Sequence, residues 1–310
     1  MLIPFATCSP AACGEALRAL PLPNLQRLLG RLGLEHTDAG SAESLSPPHE
    51  RALARAWGLP TADGLVPLAA LQAYQAGQDT AGQGYAWISP AHWQVGRDHV
   101  AMAHPRDLQL DAEDSKALLD AMHPYFAEDG ITLTWDAPLR WLARGDLFRT
   151  LPTASLDRVM GRTIDKKWMP QGDAGKPLRR LQQEMQMLLY TQPLNDARQR
   201  GGLLPVNSFW ASATGMLPQA PQATSELRMS PYLRDAALLG DWRAWAAAWQ
   251  QVDERDCAGL LQELEGGREV RVTLCGEAGA RTWSSAVAGT WQRVKNWFGN
   301  ARPAQLVEGL

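Results

Sequence analysis

The polar side chains best suited to bind an anion lie between residues 182 and 215. Amides and hydroxyls both donate and accept hydrogen bonds, and a guanidinium holds a carboxylate or phosphate through two parallel bonds. In open α/β sheets such groups usually meet a ligand at the carboxyl ends of strands. The candidate ligand-binding residues of this region are Asn195, Asp196, Arg198, Asn207, Ser208 and Trp210.

Asn207 and Ser208 stand at the centre of the run GGLLPVNSFWASATG, which has the length and apolar character of a buried strand. A buried amide without a partner costs about 1–3 kcal/mol, so both side chains need partners. In one interpretation they bond neighbouring backbone and fix the strand to the preceding helix. In the other they face a cleft in which Arg198 anchors an anion.

Three histidines lie close together in SPAHWQVGRDHVAMAHP: His92, His99 and His104. Their spacings fit neither one face of a helix nor a turn-borne metal site, so no metal site is predicted here. Arg97, Asp98 and His99 instead predict a turn that holds a hydrogen-bonded imidazole. These three residues are weaker candidates for ligand binding.

Motifs for a covalent or nucleotide-dependent reaction are not apparent. The serines lack a nucleophile elbow, and no glycine-rich phosphate loop follows the first strand. The glycines between residues 77 and 84 are too scattered for a dinucleotide fingerprint. The sequence therefore predicts no cofactor.

The elements that carry these residues predict an α/β protein with a mixed sheet and helices on both faces. The apolar stripe Leu178, Leu181, Met185 and Leu188 predicts a helix over 178–191 that ends at Pro193. Asp111 predicts the cap of another helix, over roughly 112–126. The predicted divisions are a 1–84 N-terminal α/β segment, an 85–150 βαβ unit, a 151–226 core helix with the buried strand, and a 227–310 Trp-rich helical segment with one strand and a C-terminal helix.

Tryptophan is unusually frequent near the C-terminal end. Trp242, Trp245 and Trp249 recur at helical spacing, and a second stripe from Trp283 to Phe298 predicts a helix over 283–298. Such stripes are usually core, and the alternative is a surface that docks on a partner.

Composition narrows the functional classes. The formal net charge of −3 gives no field that would gather nucleic acid, so no nucleic-acid partner is expected. No window approaches 18 apolar residues, so no membrane span is expected. The cysteines, at 8, 13, 257 and 275, form no Cys-x-x-Cys pair. They predict buried free thiols in a cytoplasmic protein, with a Cys8–Cys13 redox pair as the alternative.

Two regions resemble the proteobacterial RpfE-type regulatory proteins, which are often labelled phosphoglycerate mutase. The segments that carry the resemblance are HWQVGRDH (92–99), FAEDG (126–130), APLRW (137–141), LQQEMQMLLYTQPLNDAR (181–198) and LPVNSFW (204–210). The resemblance covers 85–215 well and the ends loosely. It implies a regulatory role exercised through a protein partner or a small phosphorylated ligand.

A more distant resemblance links the buried strand to archaeal-type cofactor-independent phosphoglycerate mutases of the alkaline-phosphatase superfamily. Their Asn-x-apolar-Trp strand closes in a Gly-containing turn, and Asn207, Trp210 and Gly215 match it. Ser212 and Ala213 replace a Trp and a Gly that the pattern expects. The resemblance implies an alkaline-phosphatase-like core.

The metal ligands implied by that mutase family are missing from this sequence. Its first strand ends in Asp-Gly, whereas here Ala6 is followed by Thr7, Cys8 and Ser9, and no histidine follows His123. We therefore expect a mutase-like protein that has lost its two-metal site and is not an enzyme. The alternatives are a metal-independent enzyme that uses Arg198, Asp196 and His99 on a phosphorylated metabolite, a working phosphoglycerate mutase, and a structural adaptor built on the Trp-rich helices.

Overall fold

The computed structural model describes residues 1–7, 11–222 and 227–287. Its strands are β1 (Leu2–Ile3), β2 (Gly33–Asp38), β3 (Tyr85–Ala91), β4 (Trp93–Val95), β5 (Val100–Met102), β6 (Thr132–Ala137), β7 (Arg140–Arg144), β8 (Ser208–Gly215), β9 (Arg271–Cys275) and β10 (Ala280–Ser284). Its α-helices are α1 (Ala11–Ala19), α2 (Pro23–Leu29), α3 (Pro48–Ala56), α4 (Leu68–Gln75), α5 (Ala112–Glu128), α6 (Lys176–Tyr190), α7 (Pro193–Arg200), α8 (Arg234–Leu239), α9 (Trp242–Gln251) and α10 (Ala258–Glu265).

The chain divides into two compact units, one formed by residues 1–56 with 224–310 and the other by residues 57–223. We call them the terminal unit and the central unit. The terminal unit is discontinuous in sequence because its sheet pairs β1 with β9, near opposite ends of the chain. The four divisions expected from the sequence remain predictions.

The sheet of the terminal unit has the order β1-β9-β10-β2 and is mixed, with β1 parallel to β9 and the other pairs antiparallel. Helix α2 is fixed by a distant side chain, because the buried carboxylate of Asp253 accepts from the backbone N–H groups of Asn24 (3.2 Å) and Leu25 (2.7 Å). A π-helical turn at Val252–Cys257 carries Asp253 between α9 and α10. The backbone N–H groups of the first helical turn have no acceptor within the helix, and the carboxylate of Asp253 supplies one.

The sheet of the central unit has the order β6-β7-β3-β8 and is antiparallel throughout, and a separate ribbon pairs β4 with β5. The ladder between β3 and β8 is interrupted opposite Ala213, whose φ of 55° is left-handed. This bulge brings the Thr214 hydroxyl within hydrogen-bond distance of the carbonyl oxygens of Leu151 (2.7 Å) and Gly64 (2.9 Å), which share its single donor.

The core of the central unit lies between its sheet and helices α5 and α6. Leu118, Met122 and Phe126 from α5 meet Leu181 and Met185 from α6 in one cluster. Asp111 caps α5 by accepting from the Asp114 N–H at 2.8 Å, as the sequence predicts. The clustered side chains recur every three or four residues, which is why the helical stripes predict this core.

The expected fold class, α/β with a mixed sheet, is confirmed, and α8, α9 and α10 make the C-terminal part helical. The helix expected over 178–191 is α6. Two expectations need correction. GGLLPVNSFWASATG becomes a strand only from Ser208, because Pro205 lies in the connection from α7. Trp283 belongs to β10 and pairs with Leu34 and Val272, so no helix begins there. Residues 288–298 of that helix lie outside the described residues.

Candidate functional site

Asn195 lies in the first turn of α7 and is 4% exposed. Both the nitrogen and the oxygen of its side-chain amide form hydrogen bonds. Its Nδ2 donates to the carbonyl groups of Leu189 (2.7 Å) and Val206 (2.8 Å), and its Oδ1 accepts from the Val206 N–H (2.9 Å). Helix α7 begins at Pro193. Proline is favoured at the first position of a helix, because an N–H group at that position would have no partner within the helix. Asn195 therefore ties the end of α6 to the segment that enters β8.

Arg198 lies one turn later in α7, and its side chain is only 2% exposed. Its Nε donates to the Leu204 carbonyl (3.1 Å), its Nη1 to the Asp114 carboxylate (2.8 Å), and its Nη2 to the Leu108 carbonyl. All three nitrogens are thus used within the central unit. The guanidinium fixes α7 to the start of α5, which leaves it poorly placed to hold an incoming anion.

Asn207 forms a two-way bond with one residue of the neighbouring ribbon. Its Oδ1 accepts from the Trp93 N–H (2.7 Å), and its Nδ2 donates to the Trp93 carbonyl (2.9 Å). Such a pair imitates a strand pairing and fixes the start of β8 beside β4. These partners are backbone groups, but they belong to β4 and not to the helix that precedes the strand.

Ser208 and Trp210 follow on β8 and are both buried. Trp210 donates its indole N–H to the Ala154 carbonyl at 2.9 Å, and its ring centroid is 6.3 Å from that of Trp93. The Ser208 hydroxyl has no hydrogen-bond partner among the described residues.

Asp196, Arg97, Asp98 and His99 are exposed. Asp196 lies on the outer face of α7, whereas the other three form the tip of the β4–β5 hairpin. The Gly96 N–H donates to the His99 carbonyl at 2.8 Å and closes this tip. A turn is present where it was expected, but the bond that closes it uses the backbone carbonyl of His99 and not its imidazole. The structure does not gather these four side chains with the buried amides into one cleft.

A crevice that the sequence did not identify lies between α6 and the edge of β8. It has about 180 Å³ of empty space and is too narrow for a water-sized sphere; its lining is Thr153, Ala154, Trp168, Pro170, Leu178, Gln182, Trp210 and Ala211. Gln182 is 3% exposed and donates weakly to the Phe209 carbonyl (3.4 Å), while its Oε1 has no partner among the described residues. The side chains of Arg158 and Lys167 lie 5.9 and 5.0 Å from the Trp168 ring. Only the polar character of Gln182 on a buried helix stripe could have indicated this place.

A second unpredicted cluster lies in the terminal unit, beyond the carboxyl ends of the parallel strands β1 and β9. Phe5 adopts a left-handed φ of 56°, and its ring centroid lies 5.1 Å from that of His49 on α3. Arg51, also on α3, binds Asp38 through Nε at 3.0 Å. Burial alone would raise the pKa of Asp38, but hydrogen bonds and positive charge from Arg51 and Arg55 hold this pKa below its usual value.

Ligands of open α/β sheets bind at this edge, and strained residues often mark such sites. Here Arg51 is committed to holding the loop, since it also donates to the carbonyls of Ser46 and Ala278. A side chain at Gly40 would meet Arg51 and the Ala278 carbonyl at 2.4 and 2.6 Å, which explains the glycine.

The cysteines differ from the expectation of free thiols at one position. Cys13 is disulfide-bonded, so the free-thiol prediction is wrong for Cys13, and Cys8 lies outside the described residues. Cys257 and Cys275 are free and buried, and burial raises the pKa of both thiols well above its ordinary value. Both are therefore protonated and unreactive near neutral pH.

Within residues 1–7, 11–222 and 227–287, no group of three or more His, Cys, Asp or Glu side chains is arranged to hold a metal ion. The same residues contain no helix whose length and apolar character would let it cross a bilayer.

No model of a known protein family matches the sequence, and no curated protein matches it. Solved structures give distant likenesses. One is a cofactor-independent phosphoglycerate mutase from Thermoplasma acidophilum DSM 1728, at 13% identity and a TM-score of 0.36 over 91% of this chain and 89% of that one. Another is the PH0037 protein from Pyrococcus horikoshii, at 11% identity and a TM-score of 0.46 over 91% of this chain and 86% of that one. At this sequence identity and these TM-scores, the similarity says nothing about the activity of this chain.

Proposed function

We propose that this chain is a non-catalytic regulatory protein of the RpfE type that acts by binding a protein partner or a small phosphorylated ligand. The observation that carries the proposal is the use of Arg198, whose guanidinium is 2% exposed and donates to three acceptors of its own unit. An enzyme that acts on a phosphorylated metabolite aims such donors at the charge that develops on its substrate.

The amides around Arg198 support the same conclusion. Asn195 and Asn207 together make five hydrogen bonds, and all of them go to backbone groups of Leu189, Val206 and Trp93. Their polar atoms therefore fix the course of the chain. This arrangement accounts for the amide at the centre of the apolar run without assigning it a reaction.

We place partner binding at the β4–β5 hairpin. Its Val95 side chain is 81% exposed, and the charged side chains of Arg97 and Asp98 stand beside it with the imidazole of His99. An exposed aliphatic side chain surrounded by charges of both signs suits a protein surface of mixed character.

The adaptor alternative loses support from the same structure. Trp245 and Trp249 are fully buried in the core of the terminal unit, and Trp283 is 6% exposed. Trp245 also donates its indole N–H to the Phe5 carbonyl at 2.9 Å. These indoles stabilise the fold, while Trp291 lies outside the described residues.

A thermal-shift screen with phosphorylated metabolites separates the proposal from the metal-independent enzyme. For each protein, the shift is the melting temperature with ligand minus the melting temperature without it. We expect any ligand that stabilises the wild type to give the same shift in Arg198→Lys, although the variant melts at a lower temperature. A shift that disappears only in the Arg198 variant would favour the enzyme.

Affinity capture tests the hairpin. We expect a partner retained by the wild type to be lost with Val95→Asp and kept with Met187→Asp, because Met187 is also 75% exposed but lies on α6. Equal retention by both variants would contradict the placement on the hairpin.

A further inference from the structure

One polar cluster of the central unit lies on the face of its sheet that points away from α5 and α6. Ala86 and Ile88 of β3 and Ala143 of β7 belong to the core against those helices. Side chains alternate between the two faces of a strand, so Trp87, on β3, and Arg140, on β7, share the opposite face. An indole and a guanidinium therefore lie side by side on this surface.

Arg140 is held in place from two sides. Its Nε donates to the carboxylate of Asp136, on β6, at 2.7 Å, and its guanidinium carbon lies over the Trp87 ring, 5.1 Å from the centroid. The negative face of an indole attracts a guanidinium, so this contact is favourable. Gln72 on α4 accepts from the Trp87 indole N–H at 2.6 Å, which fixes the indole in turn.

The carboxylate of this cluster stays ionised. Burial alone would raise the pKa of Asp136, but hydrogen bonds from Arg140 and Gln72 and the positive charge of Arg140 hold this pKa below its usual value. Gln72 thus accepts from Trp87 and donates to Asp136. The side chains around Arg140 satisfy one another and fix the direction of its guanidinium.

Arg140 still has donors to offer. Its Nη1 and Nη2 carry four of the five N–H groups of the guanidinium, and neither nitrogen has a partner within residues 1–7, 11–222 and 227–287. The side chain is 44% exposed, so a ligand can reach these groups from solvent. Arg144, on the same face of β7, is also exposed and adds positive charge.

We propose that Arg140 binds the phosphate group of a small phosphomonoester through Nη1 and Nη2, and that Trp87 and Asp136 position it for this contact. Two parallel N–H groups of a guanidinium match two oxygens of a phosphate. Because the guanidinium is already held, little side-chain freedom is lost when the anion binds. The inference rests on the proposed function, of which it places the small phosphorylated ligand.

Titration of the nitrogen-15-labelled full-length protein with phenyl phosphate tests this site through the indole N–H signal of Trp87, which is identified by its loss in Trp87→Phe. We expect the signal to shift saturably. The affinity should fall about tenfold or more in Arg140→Gln, which removes a charge-assisted pair of hydrogen bonds. It should fall less in Arg140→Lys, which keeps the charge without the two parallel donors.

The matched control is Arg149→Gln. The Arg149 side chain is also 44% exposed, but it pairs with Asp146 at 3.8 Å and lies over none of the described aromatic rings, so the affinity should equal that of the wild type. A loss shared by this control would contradict the inference, because net charge alone would then attract the anion.

Three further results would overturn the inference: a Trp87 signal that phenyl phosphate does not move, an affinity that Arg140→Gln leaves unchanged, and equal affinity for benzoate. The proposed function fails separately. It stands if a phosphorylated metabolite raises the melting temperature of the wild type and of Arg140→Gln equally, since the ligand then binds elsewhere on the chain.

Discussion

Replacing Asn195 by leucine removes the amide that joins α6 to the segment entering β8. The variant loses three hydrogen bonds to backbone in a site that is 4% exposed. The Val206 N–H and carbonyl lose the amide that bonds them, and among the described residues the Leu189 carbonyl keeps only the Gln192 N–H at 3.3 Å. At about 1 kcal/mol for each bond, the free energy of unfolding should fall by about 3 kcal/mol. Gln199→Leu, an amide replaced on the exposed face of α7, should change it by less than about 0.5 kcal/mol.

Asn195→Asp sharpens this prediction because it exchanges a donor for an acceptor. One carboxylate oxygen can still accept from the Val206 N–H, but the other faces the carbonyl groups of Leu189 and Val206. Burial and these carbonyls raise the pKa of the new carboxyl in the folded state. Stability is therefore fully retained only below the unfolded pKa of about 4 and is lost as pH rises through the folded pKa.

Urea unfolding at several pH values, followed by far-ultraviolet circular dichroism, measures both effects. At neutral pH the Asp variant should be less stable than the Leu variant, and the order should reverse or the gap close in acid. A loss under about 1 kcal/mol for Asn195→Leu, or a pH-independent deficit for Asn195→Asp, would refute the structural role of this amide.

Three further changes test neighbouring parts of the account. Arg198→Met should lower the free energy of unfolding by about 2–4 kcal/mol in urea titrations. This is less than the cost of breaking a fully buried ion pair, because Asp114 is partly exposed and solvent screens its charge. Arg198→Lys should recover part of the loss. Asp38 has a lowered pKa, so its contribution to stability is present above about pH 4 and is lost as pH falls through the folded pKa; Asp38→Asn should flatten the acid limb of a stability–pH curve. Ala213→Gly should change stability by less than about 1 kcal/mol, since relief of the left-handed φ offsets the added entropy of glycine in the unfolded chain. Ala211→Gly, in the same strand, should cost about 1 kcal/mol in the same measurement.

Local patterns predicted much of the helical structure. The stripe from Leu178 to Leu188 predicts α6, Asp111 predicts the start of α5, and the spacing of Trp242, Trp245 and Trp249 predicts α9. In each case the signal lies within a few turns, where helical period and capping chemistry act directly.

Long-range pairing accounts for the errors. Trp283 and Val287 satisfy a helical spacing, yet Trp283 is in β10 because that strand pairs with β9 and β2. The left-handed φ of Ala213 follows from the ladder with β3, which no residue near Ala213 announces. Pairings of this kind join residues far apart in sequence, and local propensity does not encode them.

The candidate site was only half predictable for the same reason. The sequence identified Asn195, Arg198 and Asn207 as polar groups that need partners, but it did not identify the partners. Arg198 reaches residues 84 and 90 positions away, and Asn207 reaches one 114 positions away. Whether a buried guanidinium holds the fold or a ligand depends on these distant acceptors.

The most direct test of the account is a turnover assay of the full-length protein with 3-phosphoglycerate in the presence of Mn²⁺ or Mg²⁺. The account predicts a rate no higher than that of the protein-free solution, for both the wild type and Arg198→Lys. Saturable conversion by the wild type, reduced at least tenfold in folded Arg198→Lys, would contradict it.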